Sequence, residues 1–207
     1  FAAIAAAKGL PATIKRQWVR QLDNFPGNSA ILSSETEFEN MYIIEVARGC
    51  GRHCRFCMAG YCFRRPRARN LEKIIKAIKE RPARSKKVGL MGAAVSDFPQ
   101  IKELTKFLVD NGIPFTVASL RADSLDRELA EALARSGQKT MTVAPEAGSE
   151  RMRKVINKGI SEDDIYKAVE LATAAGMKNI KLYYMIGLPT EEDDDIDEMI
   201  AMVARVR

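Results

Sequence analysis

From Met41 onward, short runs of apolar residues alternate with stretches in which apolar residues recur at helical spacing. Met41–Ala47 is rich in β-forming residues and bounded by Arg48 and Gly49, which predicts a strand. Further strands are expected at Val88–Met91, Phe115–Ser119, Thr140–Ala144 and Ile180–Ile186. Between them lie helical patterns: Asn70–Glu80 with Asn70 as N-cap, Ile101–Asp110 stopped by Asn111-Gly112, and Asp126–Arg135 stopped by Gly137. A helix over Ser149–Ile156 is interrupted at Gly159, and Ser161, with Asp164 three residues on, recaps it through Ala175. Thr190 is expected to cap a last helix toward Arg207. The result is five β/α units, an α/β chain with a parallel sheet covered by helices. Five units are too few for a closed eight-stranded barrel.

Residues 1–40 are less regular. Phe1–Lys8 is Ala-rich and reads as the end of a helix, and Arg16–Pro26 reads as a connector running into the turn Pro26-Gly27-Asn28-Ser29. The expected division is therefore an extension or linker at 1–40, from an upstream domain, and a core at 41–207. Because the chain begins with Phe1 and ends inside a helical pattern, it reads as a piece of a longer protein.

A length of 207 residues suits one domain with a sizeable core. No run approaches the roughly 18–20 apolar residues of a membrane span. Phe1–Ala7 lacks the basic stretch that precedes a secretory h-region. A net charge of +6 does not by itself indicate nucleic acid. Arg64-Arg65-Pro66-Arg67-Ala68-Arg69 is basic, but no interleaved aromatic platform accompanies it, and it reads as a solvated loop or interdomain contact. Four cysteines in a chain of this length are not a disulfide framework, so reduced thiols and a cytoplasmic location are expected.

Cys50, Cys54 and Cys57 are spaced C-x3-C-x2-C and follow the first strand directly. Three thiolates on one loop suit a soft metal centre, either zinc or an iron–sulfur cluster. Zinc needs a fourth ligand, and the single histidine, His53, adjoins Cys54, which makes joint ligation difficult. A four-iron cluster held by three cysteines keeps one iron open for chemistry. Cys62, outside the triplet, reads as an ordinary free cysteine, with a fourth ligand or a reactive thiol as the alternatives. A non-catalytic iron–sulfur or zinc module for electron transfer or partner binding is the alternative to an enzyme.

The triplet, with Phe56 just before its last cysteine, resembles the signature of the radical S-adenosylmethionine (radical SAM) enzymes. The resemblance covers about residues 41–200 and is nearest to uncharacterised members with an N-terminal cobalamin-binding-like domain; the connector at Leu22, Asp23 and Pro26 is similar to the linker of such members. It implies a partial (β/α) TIM-like barrel, usually of six units. It further implies a 4Fe-4S cluster on Cys50, Cys54 and Cys57, S-adenosylmethionine on the open iron, and a reductant such as flavodoxin or ferredoxin. Reductive cleavage would yield a 5′-deoxyadenosyl radical that abstracts hydrogen from an unidentified substrate, and the parent protein would carry cobalamin.

The resemblance also distributes cofactor contacts over the strand ends. Gly92 and Ala93 stand where the family has a Gly-Gly-Glu segment that receives the methionine amino group, without the acidic residue. Arg121 would face the methionine carboxylate and Ser119 the ribose; the competing reading pairs Arg121 with Asp123. Glu146, in a turn similar to the family's E-S-G-S, would bond the ribose or amino group, or else serve a helix dipole. Met185 and Ile186 would meet adenine together with Phe56. The acidic run Glu191–Asp195 reads as decoration of a helix N-terminus.

Overall fold

The computed structural model describes residues 18–63 and 65–206. The expected helix at Phe1–Lys8, and Arg16, Gln17, Arg64 and Arg207, lie outside the described residues. Strand β1 (Met41–Glu45) is followed by the short β2 (Ala47–Arg48), helix α1 (Met58–Cys62), β3 (Arg67–Ala68) and α2 (Leu71–Lys79). Then come β4 (Lys87–Met91), α3 (Ile101–Asp110), β5 (Phe115–Val117), α4 (Arg127–Arg135), β6 (Thr140–Glu146), α5 (Glu150–Val155), α6 (Glu162–Ala174), β7 (Asn179–Tyr184) and α7 (Asp193–Val206).

β1, β4 and β5 pair in parallel, as do β6 and β7, and a parallel bridge between Leu120 and Val143 joins the two sets. The sheet thus runs β1-β4-β5-β6-β7, the curved α/β wall of a partial barrel. The connector extends it: Ser29 N–H donates to the Ile43 carbonyl at 2.9 Å and Glu45 N–H to the Gly27 carbonyl at 2.6 Å.

Alternation places Tyr42, Ile44, Val88, Leu90, Phe115, Val117, Met141 and Val143 on the outer face. There they share one buried cluster with Ile74 and Ile78 of α2, Leu104 and Leu108 of α3, Leu129 and Leu133 of α4, and Ile165 and Ala168 of α6. Burying each such side chain contributes about 1.5–3 kcal/mol, and this face holds the fold together. The helix starts are local. Asn70, Asp126 and Ser149 each accept the N–H of the third helical residue, and Ser161 with Asp164 forms a reciprocal capping box.

The inner face is less filled. Met41, Ile43, Met91 and Thr116 line a cavity of about 630 Å³ that reaches Gly92 and Ser119 at the strand C-termini. Inner positions of β7, Lys181 and Tyr183, are exposed. A closed barrel would pack layers of branched side chains here. No helix among the described residues is long and apolar enough to cross a membrane.

Several expected boundaries shift: β5 ends at Val117 rather than Ser119, β6 runs on to Glu146 rather than stopping at Ala144, and three further changes have a clear cause. The first strand breaks at Val46, whose N–H donates to the Met91 carbonyl while its own carbonyl accepts from Arg69 N–H, both at 2.9 Å. The chain there leaves β4 for the antiparallel hairpin with β3. The last strand ends at Tyr184 rather than Ile186, because Met185 N–H bonds the Glu146 carbonyl and Gly187 (φ +85°) turns the chain away. Thr190 is not a helix cap: α7 starts at Asp193, and Thr190 sits in the left-handed region (φ 67°) with its carbonyl bonded to Arg151. A β-branched residue in that region is strained.

Candidate functional site

Parallel strands bring all their C-terminal loops to one edge. The cysteine loop follows β1 and β2 and is closed by glycine contacts. A Cβ on Gly49 (φ +92°) would lie 2.2 Å from the Phe63 carbonyl oxygen, and one on Gly60 would lie 2.7 Å from that of Arg52. Only glycine permits these approaches. Cys57 N–H donates to the Cys54 carbonyl at 3.1 Å, and Arg52 N–H points at Cys50 Sγ at 3.4 Å. Cys54 is buried, Cys50 and Cys57 are half-buried, and all four cysteines are free thiols.

The donor set fits an iron–sulfur cluster: three free thiols share one loop, and Cys50 Sγ already accepts the Arg52 N–H. The side chains do not converge as they stand. Among the described residues no three His, Cys, Asp or Glu side chains form a group that can hold a metal ion. Joint ligation therefore requires the thiols to rotate toward one another. His53 is exposed and belongs to no such group.

Contacts draw the neighbouring loops onto this one. Arg52 reaches Asp97, after β4, at 3.1 Å and Asp123, after β5, at 3.3 Å. Arg121 donates to the same Asp123 carboxylate at 2.9 and 3.0 Å and to the carbonyls of Lys158 and Gly159 at 3.1 and 3.3 Å. Asn157 donates to the His53 carbonyl at 2.9 Å, and Arg55 N–H to that of Ile156 at 2.8 Å. Lys158 is buried, pairs with Glu146 at 3.2 Å, and places its ammonium 5.8 Å from the Phe56 ring centre. Met185 joins through its N–H on the Glu146 carbonyl, and its side chain packs with Ala147, Met152 and Ile156.

Cys50, Cys54, Cys57, Phe56, Arg121, Glu146 and Met185 are thus joined around one edge by direct contacts. Gly92 is near them: its Cβ position lies 3.1 Å from the Ala47 carbonyl oxygen, just upstream of the cysteines. Ala93 and Ser119 are exposed at their strand ends, and Ile186, 74% exposed, follows β7. Glu146 adopts φ 70° at an irregularity in the β6–β7 register, so this carboxylate is presented by strained backbone.

The stretch from Arg48 to Arg69 contains seven arginines and no Asp or Glu. Much of this charge is structural. Arg69, 6% exposed, donates to Glu45 at 2.6 Å and to the carbonyls of Leu22 and Phe25, fastening the connector to the sheet. Burial pushes the Glu45 carboxyl up, but hydrogen bonds from Arg48 and Arg69 outweigh it and hold it below the usual carboxylate range. Arg67 stacks on Trp18 at 4.1 Å. Asp195 is likewise more than helix decoration. It is buried, accepts from Ser149 Oγ and the Arg151 guanidinium, and anchors α7 to the β6 loop. Arg151 first, and then Ser149 and Glu192 N–H, outweigh desolvation and lower its pKa to about 2.

The sequence reading did not find Lys158, Asn157 or Arg52. The only local signal for the first two is the helix break at 157–159, where Asn157 (φ 52°) and Gly159 (φ 63°) turn the chain back toward the cysteines.

Residues 44–203 match the model of the radical SAM superfamily. The chain belongs to the radical SAM superfamily. Members of this superfamily use a 4Fe-4S cluster and S-adenosylmethionine. An uncharacterized protein of Methanocaldococcus jannaschii is 40% identical over 94% of this chain and 44% of its own length. The threonylcarbamoyladenosine tRNA methylthiotransferase MtaB of Aquifex aeolicus is 25% identical over 79% of the chain and 42% of its own length. The chain spans less than half the length of the curated relatives it matches. Among solved structures, the radical SAM methyltransferase TsrM of Kitasatospora setae matches with a TM-score of 0.67 at 17% identity, over 80% of this chain and 34% of that one. At that identity the likeness is one of fold.

Proposed function

We propose that this chain is the cofactor-binding core of a radical SAM enzyme, in which Cys50, Cys54 and Cys57 hold a 4Fe-4S cluster and the loops after β4, β5, β6 and β7 hold S-adenosylmethionine. The observation that carries the reading is the junction of four loops: the cysteine loop follows the first strand of a superfamily-matching chain, is tied to the loops after β4 and β5 by Arg52, and meets the α5–α6 turn through Asn157 and Lys158, the latter paired with Glu146 at the end of β6. When bound, the cluster would supply the electron for reductive cleavage of S-adenosylmethionine, and with it the means of taking hydrogen from substrate. The chain's own residues bind and orient. Arg121 and Lys158 are the cations for the methionine carboxylate; Arg121 does this while sharing Asp123 with Arg52. Glu146 and Ser119 take the ribose, Gly92 and Ala93 offer backbone to the amino group, and Phe56 with Met185 and Ile186 receives adenine. An inner cavity lined in part by Met41, Ile43 and Met91 lies beside the site.

The longer parent protein is proposed to couple this core to a cobalamin domain upstream of the connector, in keeping with the fold likeness to TsrM, whose structure holds cobalamin and a [4Fe-4S] cluster. A flavodoxin or ferredoxin is the expected reductant, and the substrate is unassigned.

The test is product analysis. Anaerobically reconstituted protein, reduced with dithionite and given S-adenosylmethionine, yields 5′-deoxyadenosine and methionine in equal amounts. A cluster-loaded protein that binds S-adenosylmethionine and yields neither product overturns the proposal.

A further inference from the structure

Arg52 lies inside the cysteine loop, between Cys50 and Cys54, yet its side chain is spent on two other loops. Nε and Nη2 meet Asp97 at 3.1 and 3.2 Å, and Nη1 meets Asp123 at 3.3 Å. Asp97 ends a short turn after β4 and Asp123 sits in one after β5. One guanidinium fork therefore spans three loops, which a lysine's single ammonium cannot do with the same geometry. On its other side the loop is pinned to carbonyl or amide partners with no carboxylate among them: Asn157 donates to the His53 carbonyl, Arg55 N–H to the Ile156 carbonyl and the Arg55 guanidinium to the Val155 carbonyl.

We propose that Arg52 is a positioning residue, a charged clasp that holds the cysteine loop against the ends of β4 and β5 and so keeps the loop in place for ligation once its thiols turn toward one another. The role of Arg52 in ligation rests on the proposed cluster, whereas the clasp itself is a property of the polypeptide. The two sides of the loop then differ in kind. Arg52, Asp97 and Asp123 are 39%, 31% and 19% exposed in their side chains, so salt screens their attraction. The Asn157 and Arg55 contacts are much less sensitive to salt. Opening the loop is a local event that need not unfold the sheet.

Cys54, 7% exposed, reports on that opening without any metal. Metal-free protein is treated with iodoacetamide under native conditions, and modification of Cys54 is followed by peptide mass spectrometry. Arg52→Ala is expected to raise its rate roughly five- to tenfold, as loss of two half-exposed pairs implies. Arg52→Lys restores part of the difference, and Asp97→Asn gives an intermediate rate. About 1 M salt brings the wild type toward Arg52→Ala, while Asn157→Ala speeds modification at every salt concentration. The thermal unfolding midpoint of Arg52→Ala stays within a few degrees of wild type. In reconstituted protein the same variant loses iron to a chelator several-fold faster. An unchanged Cys54 rate in Arg52→Ala, or an increase matched by general loss of stability, overturns the proposal. A wild type that takes up no cluster while Cys54 still responds to Arg52 refutes the cluster reading and leaves the clasp.

Discussion

Replacing Arg121 with alanine separates a cofactor-binding role from a purely structural one. The side chain is 11% exposed and makes four hydrogen bonds, two to Asp123 and two to the carbonyls of Lys158 and Gly159. Its removal does not orphan Asp123, because Arg52 still reaches that carboxylate at 3.3 Å. The stability loss should therefore be about 1–2 kcal/mol, as for ordinary hydrogen bonds, rather than the roughly 3–5 kcal/mol of a stranded buried charge. If Arg121 also bonds the methionine carboxylate, about 1.5–3 kcal/mol of binding is lost, which raises Kd roughly 10- to 150-fold. Asp123→Asn is the counterpart: it weakens the same internal pair but removes no ligand contact, so affinity should hold or improve. The assay is an anaerobic equilibrium titration of S-adenosylmethionine into reconstituted protein, with urea unfolding of both variants in parallel. Iron content should be unchanged in each. Equal affinities in wild type and Arg121→Ala, together with the stability loss, would refute the binding role and leave Arg121 as Asp123's structural partner.

Other outcomes follow from individual contacts. Glu45→Gln leaves Arg69 buried without its carboxylate and should cost about 3 kcal/mol in urea unfolding. Gly49→Ala meets both a positive φ and the Phe63 carbonyl, and should destabilise the metal-free protein by at least about 2 kcal/mol. The Asp195 pKa falls from 3.8 unfolded to about 2 folded, so its contribution to anchoring α7 is complete above about pH 4 and is lost as pH falls toward 2. Circular dichroism across that range should show a loss that Asp195→Asn flattens.

What the sequence disclosed was local. Ile101–Asp110 was legible to the residue, and the Asn70 cap and the Ser161–Asp164 box could be read from neighbours three residues apart. The parallel sheet followed from the repeated unit, and the cysteine edge from the shared direction of parallel strands. The missed features join distant positions. Arg52 meets carboxylates 45 and 71 residues away, and Ser149 meets Asp195 across 46. No periodicity announces such pairs. Arg69 shows the same limit: a basic run reads as a solvated face, yet this member is buried against Glu45 because the connector folds back over it. Thr190 misled for a related reason, since its strained turn is held by Arg151 from another unit.

The most direct test of the central claim is the metal content of anaerobically reconstituted protein, measured with its visible and electron paramagnetic resonance spectra, for the wild type and four cysteine variants. About four irons per chain are expected. Cys50→Ala, Cys54→Ala and Cys57→Ala should each lose the cluster, Cys62→Ala should keep it, and S-adenosylmethionine should change the spectrum of the reduced form. One zinc per chain without visible absorption, or loss of the centre in Cys62→Ala, would contradict the proposed cluster.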